Sequence, residues 1–169
     1  FILFPRLTQL DLTGPYEVLV RLPDTQVLLL ASSLDPVVTE KGLAILPNAT
    51  FADAPQLDVL CVPGGPGIND CLTDQALLRF LHQQGQHARY ITSVCTGALI
   101  LAAAGLLDGY QATTHWLSVD LLRQFGVETR NERVVVDRNR ITGAGVSAGI
   151  DFALSLAEAL SDQTTAEAI

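Results

Sequence analysis

Apolar residues along this chain come in short blocks that follow two different periods. Phe1-Ile2-Leu3-Phe4, Val27-Leu28-Leu29-Leu30-Ala31, Leu57-Asp58-Val59-Leu60-Cys61-Val62 and Tyr90-Ile91-Thr92-Ser93-Val94 are brief runs of β-branched, aromatic and aliphatic residues. Their length and content suit strands buried on both faces of a parallel sheet. Elsewhere the apolar positions take helical spacing. Gln75 to Gln86 reads as an amphipathic helix, while Thr96 to Ala104 and Ala148 to Leu160 read as helices apolar almost all round, the former closed by Gly105. A further helix is predicted from Thr13, a candidate N-cap followed by Pro15 in its first turn, to about Leu22, and another over Val119 to Phe125. Ala112-Thr113-Thr114 suits a short strand, and Arg133 to Val136 pairs with Arg140 to Thr142 across Asp137-Arg138-Asn139. Thr39 to Phe51 has the pattern of a small hairpin with Gly42 or Asn48 near its turns. Strands alternating with helices at this spacing predict an α/β fold: a doubly wound, mostly parallel sheet flanked by helices.

Composition narrows this picture. With 169 residues, 49% hydrophobic and 17% charged, the chain can bury a sizeable core and is expected to form one domain over residues 1–169. The chain opens directly on an apolar run and ends on what reads as an interrupted helix, so both ends are expected to be trimmed. No apolar run reaches the length of a membrane span without interruption. Cys61, Cys71 and Cys95 are spaced neither as a disulfide framework nor as a zinc site, which points to a reducing compartment and a cytoplasmic protein. A formal net charge of −8 argues against nucleic-acid binding. Arg130, Arg133, Arg138 and Arg140 cluster, but Glu132 and Asp137 interleave them, and they read as a solvated face around a hairpin.

In doubly wound sheets, ligands bind beyond the carboxyl ends of the strands, so the loops that follow strands are where chemistry is sought. Three such loops hold Asp11, Gly64-Gly65 and Cys95. Cys95 stands at the junction between the Tyr90–Val94 strand and the helix that follows, where free backbone N–H groups favour a thiolate and an oxyanion beside it. The competing reading is one more buried cysteine. Two roles are open to Asp11, proton transfer or a helix cap, and two to Gly64-Gly65, anion donors or a tight strand exit. Pro63-Gly64-Gly65-Pro66-Gly67 lacks the Lys-Ser/Thr of a P-loop, which argues against nucleotide binding. Cys61 belongs to a strand and Cys71 to a polar loop. His82 and His87 read as solvent-facing, His115 beside Trp116 as able to approach the site, and Ser93 as facing away from it.

Leu10-Asp11-Leu12-Thr13-Gly14-Pro15, Val62-Pro63-Gly64-Gly65, Ser93-Val94-Cys95-Thr96-Gly97, Ala112-Thr113-Thr114-His115-Trp116 and Ala148-Gly149-Ile150-Asp151 together resemble the DJ-1/PfpI superfamily over nearly the whole chain. The resemblance implies a flavodoxin-like, class I glutamine amidotransferase-like domain. Within the superfamily the motifs are most similar to the isocyanide hydratase branch, homodimeric enzymes that convert isocyanides to N-substituted formamides without a cofactor. It implies Cys95 as nucleophile, Asp11 as the proton-handling carboxylate rather than Glu17, and backbone donors at Gly65 and Thr96. Val146, Ala144, His115 and Trp116 are the pocket-lining candidates. Thr96 stands where the protease branch has histidine, which disfavours a peptidase, and Pro66 removes one possible N–H donor. The same motifs also resemble the ligand-sensing domain of AraC-like transcription regulators, which would bind nucleic acid through a further domain, and redox-sensing stress proteins. The implied partners are a small-molecule substrate and a second copy of the chain, with no metal and no membrane.

Overall fold

The computed structural model describes residues 1–169 and builds them around β6 (Tyr90–Val94), whose inner residues are all buried. In chain order the elements are α1 (Gln9–Leu19), β1 (Leu30–Ala31), β2 (Val37–Val38), β3 (Ala44–Ile45), β4 (Ala49–Thr50), β5 (Val59–Val62), α2 (Ile68–Cys71), α3 (Gln75–Gly85), β6, α4 (Gly97–Ala103), β7 (Gln111–Ala112), α5 (Val119–Gln124), β8 (Glu128–Thr129), β9 (Val134–Asp137), β10 (Arg140–Gly143), α6 (Ala148–Leu160) and α7 (Gln163–Ala168). β5, β6 and β10 lie parallel, with Leu60, Ile91 and Arg140 in register, and β9 closes the edge antiparallel to β10. On the other side, Ile2 N–H donates to Cys61 O (3.0 Å) and Leu3 N–H to Leu30 O (2.7 Å). The opening residues thus join β5 to β1, which pairs in parallel with β4. α1 and α6 pack on each other, with α6 against β6, β9 and β10; α2, α3 and α5 pack on α4, which lies against β5 and β6. This is the doubly wound arrangement that the alternation of strands and helices predicts. Its core holds Leu60, Ile91, Leu99, Ile100, Leu101, Leu107, Phe152 and Leu156 with no exposed surface.

Several elements depart from expectation for visible reasons. α1 starts four residues before Thr13 and runs through Pro15; Thr8 is at the N-cap position and Thr13 is inside, its hydroxyl bonded to Gln9 O (3.2 Å). Proline lacks the N–H that Asp11's carbonyl would accept, and the helix tolerates the loss. The Val27–Ala31 run yields only two strand residues, because the Asn48 side chain accepts from Leu29 N (2.7 Å) and donates to Val27 O (3.3 Å) in place of a neighbouring backbone. Asn48 therefore holds a sheet edge rather than a turn. The hairpin is β2–β3, turning through Gly42 at φ +88°. Cys71, expected in a polar loop, is buried at the end of α2. Arg140 is also not on a solvated face: only 8% exposed, it donates through Nε to Leu106 O (2.6 Å) and stacks on the Tyr110 ring.

Candidate active site

At the carboxyl end of β6 the chain must turn sharply to begin α4, and Cys95 makes the turn. Its φ of 57° is left-handed, a conformation that costs a non-glycine residue roughly 1–3 kcal/mol and persists only where the surroundings fix it. Two hydrogen bonds fix it here: Cys95 N–H donates to Gly143 O (2.9 Å) at the end of β10, and Thr114 Oγ1 donates to Cys95 O (2.8 Å). Strain held in this way at a strand-to-helix turn favours a functional residue over one more core cysteine. The side chain is 4% exposed.

Asp11, in the first turn of α1, reaches the same place. Fully buried, it accepts a hydrogen bond at Oδ2 from Gly64 N–H (3.0 Å) in the loop after β5. Oδ1 is buried without a hydrogen-bond partner, and the carboxyl lies close enough to the Cys95 thiol for each group to shift the other's pKa. Burial raises the Asp11 pKa to about 6, against the pull of the Gly64 N–H and the thiol; Glu40 pushes it further up. The thiol is also held up, at about 12, by burial first and the neighbouring Asp11 charge second. The Thr96 N–H and hydroxyl at the sulfur oppose both and do not prevail. Both groups are thus held up by burial, and the thiol also by Asp11, which keeps one proton on the pair at neutral pH. Burial and the Asp11 charge oppose the thiolate that the helix N-terminus favours.

Thr96 stands at the head of α4, and its Oγ1 also accepts the N–H of Gly65 (2.9 Å). The Gly65 donor suggested by the sequence is thus engaged by Thr96. Gly64 lacks a side chain because there is no room for one: a Cβ would lie 2.5 Å from Thr96 N, 2.6 Å from Thr96 Oγ1 and 3.0 Å from Asp11 Oδ2. Gly64→Ala is expected to force α1 and α4 apart, destabilising the fold by about 1–3 kcal/mol and misplacing Asp11. Urea denaturation measures the first effect, and the alkylation rate of Cys95 the second.

The other candidates are scattered around this centre. Ala144 directly follows Gly143, and both it and Val146 are half-buried in the loop before α6. His115 is half-buried, its Nδ1 accepting from Leu117 N (3.3 Å), and Trp116 is 71% exposed. His82 and His87 are exposed, and Glu17 pairs with Arg21 on the surface of α1. Ser93 is buried with an unpartnered hydroxyl. Sequence reasoning gave no role to Thr114, although its motif was visible, and missed Glu40, which only the fold brings near. A cavity of about 490 Å³, bordered by Leu22, Val27, Asp58 and Arg89, includes neither Cys95 nor Asp11 and lies toward the start of β5, away from the strand ends where chemistry is sought. No group of three or more His, Cys, Asp or Glu side chains is placed to hold a metal ion.

Comparisons with known proteins bear on what this arrangement does. The model of the DJ-1/PfpI family matches residues 1–159. Isonitrile hydratase of Pseudomonas putida is 53% identical over 169 residues, all of this chain and 74% of that protein. The HTH-type transcriptional regulator GbdR of Pseudomonas aeruginosa is 38% identical over 117 residues, 68% of this chain and 32% of the regulator. Among solved structures, a THiJ/PfpI family protein from Pseudomonas syringae superposes with a TM-score of 0.96 at 49% identity, covering 99% of this chain and 70% of that one.

Proposed function

Because this chain belongs to the DJ-1/PfpI family, we propose that it is an isocyanide hydratase, converting R–N≡C and water to the formamide R–NH–CHO (isonitrile is another name for isocyanide). The observation that carries the chemistry is the buried Asp11 carboxyl beside the thiol of a strained Cys95. The substrate class rests on the 53% identity to an isonitrile hydratase. With a pKa near 6, Asp11 is largely ionised at neutral pH yet basic enough to take a proton, the range in which a general base works best.

The sulfur attacks the terminal carbon as Asp11 removes its proton. The S–H bond breaks, the S–C bond forms, and Asp11 returns the proton to the same carbon, giving the thioimidate R–N=CH–S–Cys95. Water then adds across the C=N bond, its oxygen to carbon and one proton to nitrogen, giving R–NH–CH(OH)–S–Cys95. Collapse breaks the C–S bond, releases the formamide and returns the hydroxyl proton through Asp11 to the thiol. The Thr96 N–H and hydroxyl stabilise negative charge on sulfur as it forms and as it leaves. The purified protein, assayed for formamide on a small panel of isocyanides without added cofactor or metal, tests the reading; no turnover on any of them would overturn it.

A second reading, a ligand-sensing domain, is favoured by the match to GbdR over 68% of this chain. Isocyanide turnover by the wild type is the discriminating result. The proposal includes a homodimer in a reducing cytoplasm, motivated by the three free cysteines and by the exposed Leu10 and Ile150, which neighbour each other over Gly14. Light scattering should give twice the chain mass; a monomer at micromolar concentration would reject it.

A further inference from the structure

The β2–β3 hairpin brings a second carboxylate to the site. Glu40 N–H donates to Leu7 O (3.1 Å), and Thr8 Oγ1 donates to Glu40 Oε1 (2.9 Å). The backbone of Thr8 then continues the connection: its N–H donates to Gly64 O (2.8 Å), and Gly64 N–H holds Asp11 (3.0 Å). Thr8 occupies the N-cap position of α1, where a threonine hydroxyl ordinarily serves the free N–H groups of the first turn. Here it makes no cap bond and holds Glu40 instead. The Glu40 side chain is only 25% exposed, and its cation is the solvated Lys41 at 3.8 Å, a pair of little strength.

We propose that Glu40 is a positioning residue of the site, whose fixed negative charge, anchored by Thr8, helps keep one proton on the Asp11–Cys95 pair into the neutral range. The inference rests on the reading of Asp11 and Cys95 as base and nucleophile. Other charges on the surrounding elements are engaged elsewhere: Glu17 with Arg21 on α1, Asp151 of α6 with Arg133 before β9, and Arg6 with Asp70. Cys61 on β5 is a neutral thiol, its pKa raised to about 11 mainly by burial. Glu40 is the surrounding carboxylate whose charge reaches Asp11.

The test is the pH profile of Cys95 alkylation by iodoacetamide, a neutral reagent, followed by peptide mapping in the full chain. Removing a nearby negative charge eases loss of the proton, so Glu40→Gln, which still accepts from Thr8, should move the midpoint toward acid by about half a pH unit. Thr8→Val keeps the charge and should move it less. High salt should shift the wild-type profile the same way and leave Glu40→Gln unmoved, which keeps the test available even if a variant folds poorly. A Glu40→Gln profile that superimposes on wild type overturns the proposal, as does a Thr8→Val shift as large as that of Glu40→Gln. A profile unmoved by Asp11→Asn would instead remove the pairing of Asp11 with Cys95, a separate failure.

Discussion

Cys95→Ala is expected to abolish isocyanide hydration and leave the fold standing. Loss of a covalent nucleophile typically lowers turnover by roughly 10⁴-fold or more, because the remaining groups have no acceptor to form the intermediate. Alanine adopts φ of 57° at about the same cost as cysteine, so the elbow keeps its geometry, and Asp11 keeps its bond to Gly64 N–H. Cys95→Ser should fare little better: a hydroxyl holds its proton far more tightly than a thiol, and the resulting alkoxide is the poorer leaving group when the adduct collapses. Formamide production measured beside a thermal melt checks both halves of the expectation. An alanine variant retaining a tenth of wild-type turnover would show that Cys95 is not the nucleophile.

The position of Cys95 was legible because a strand-like run, Tyr90 to Val94, stops just short of the apolar helical run Ala98 to Ala104. That change of period fixes a strand-to-helix turn whatever surrounds it. The same local logic made α3, β6, α6 and the β9–β10 pair readable with small boundary errors. What it could not supply is the balance of forces at the thiol. The Thr96 donors are local and visible; the desolvation that outweighs them comes from the burial of Cys95 in the folded chain. The Glu40–Thr8 and Thr114–Cys95 bonds likewise join residues far apart in the chain, and no period or spacing announces them.

Burial of Arg140 and Cys71 was missed for a related reason. Both sit among polar or charged neighbours, and the sequence around Arg140 reads as solvated. In the fold, the Leu106 carbonyl accepts from Arg140 and the Tyr110 ring covers it, so the charge is buried with partners. Asp11 was legible as a candidate but not as a residue inside a helix, because Pro15 reads as a start signal and here lies in the interior of α1. The early start of α1 matters functionally: it places Asp11 in the first turn, where its side chain can accept from Gly64.

Asp11→Asn is expected to lower turnover by roughly 10²–10⁴-fold, the usual worth of a positioned acid–base group, and at the same time to stabilise the protein. In the wild type, activity should decline below about pH 6 as Asp11 takes up a proton and can no longer accept one from the thiol. The variant should lose that acid limb together with the activity. The stability effect follows from the same shift. Between the ordinary value of 3.8 and about 6 the folded protein retains a proton that the unfolded chain has released, so stability falls as pH rises through that window and stays lower above it. At about 1.36 kcal/mol per pKa unit, ionised Asp11 costs the fold on the order of 2–3 kcal/mol at neutral pH. Asparagine still accepts from Gly64 N–H and carries no charge to bury. The variant should therefore melt about 5 °C higher than wild type at neutral pH, with the difference disappearing toward pH 4, where wild-type Asp11 is itself neutral. Calorimetry across that range is the measurement. A variant less stable than wild type at neutral pH would mean that the carboxylate is better solvated than its burial indicates. Full activity in Asp11→Asn, combined with its loss in Glu17→Gln, would move the proton transfer to the other carboxylate.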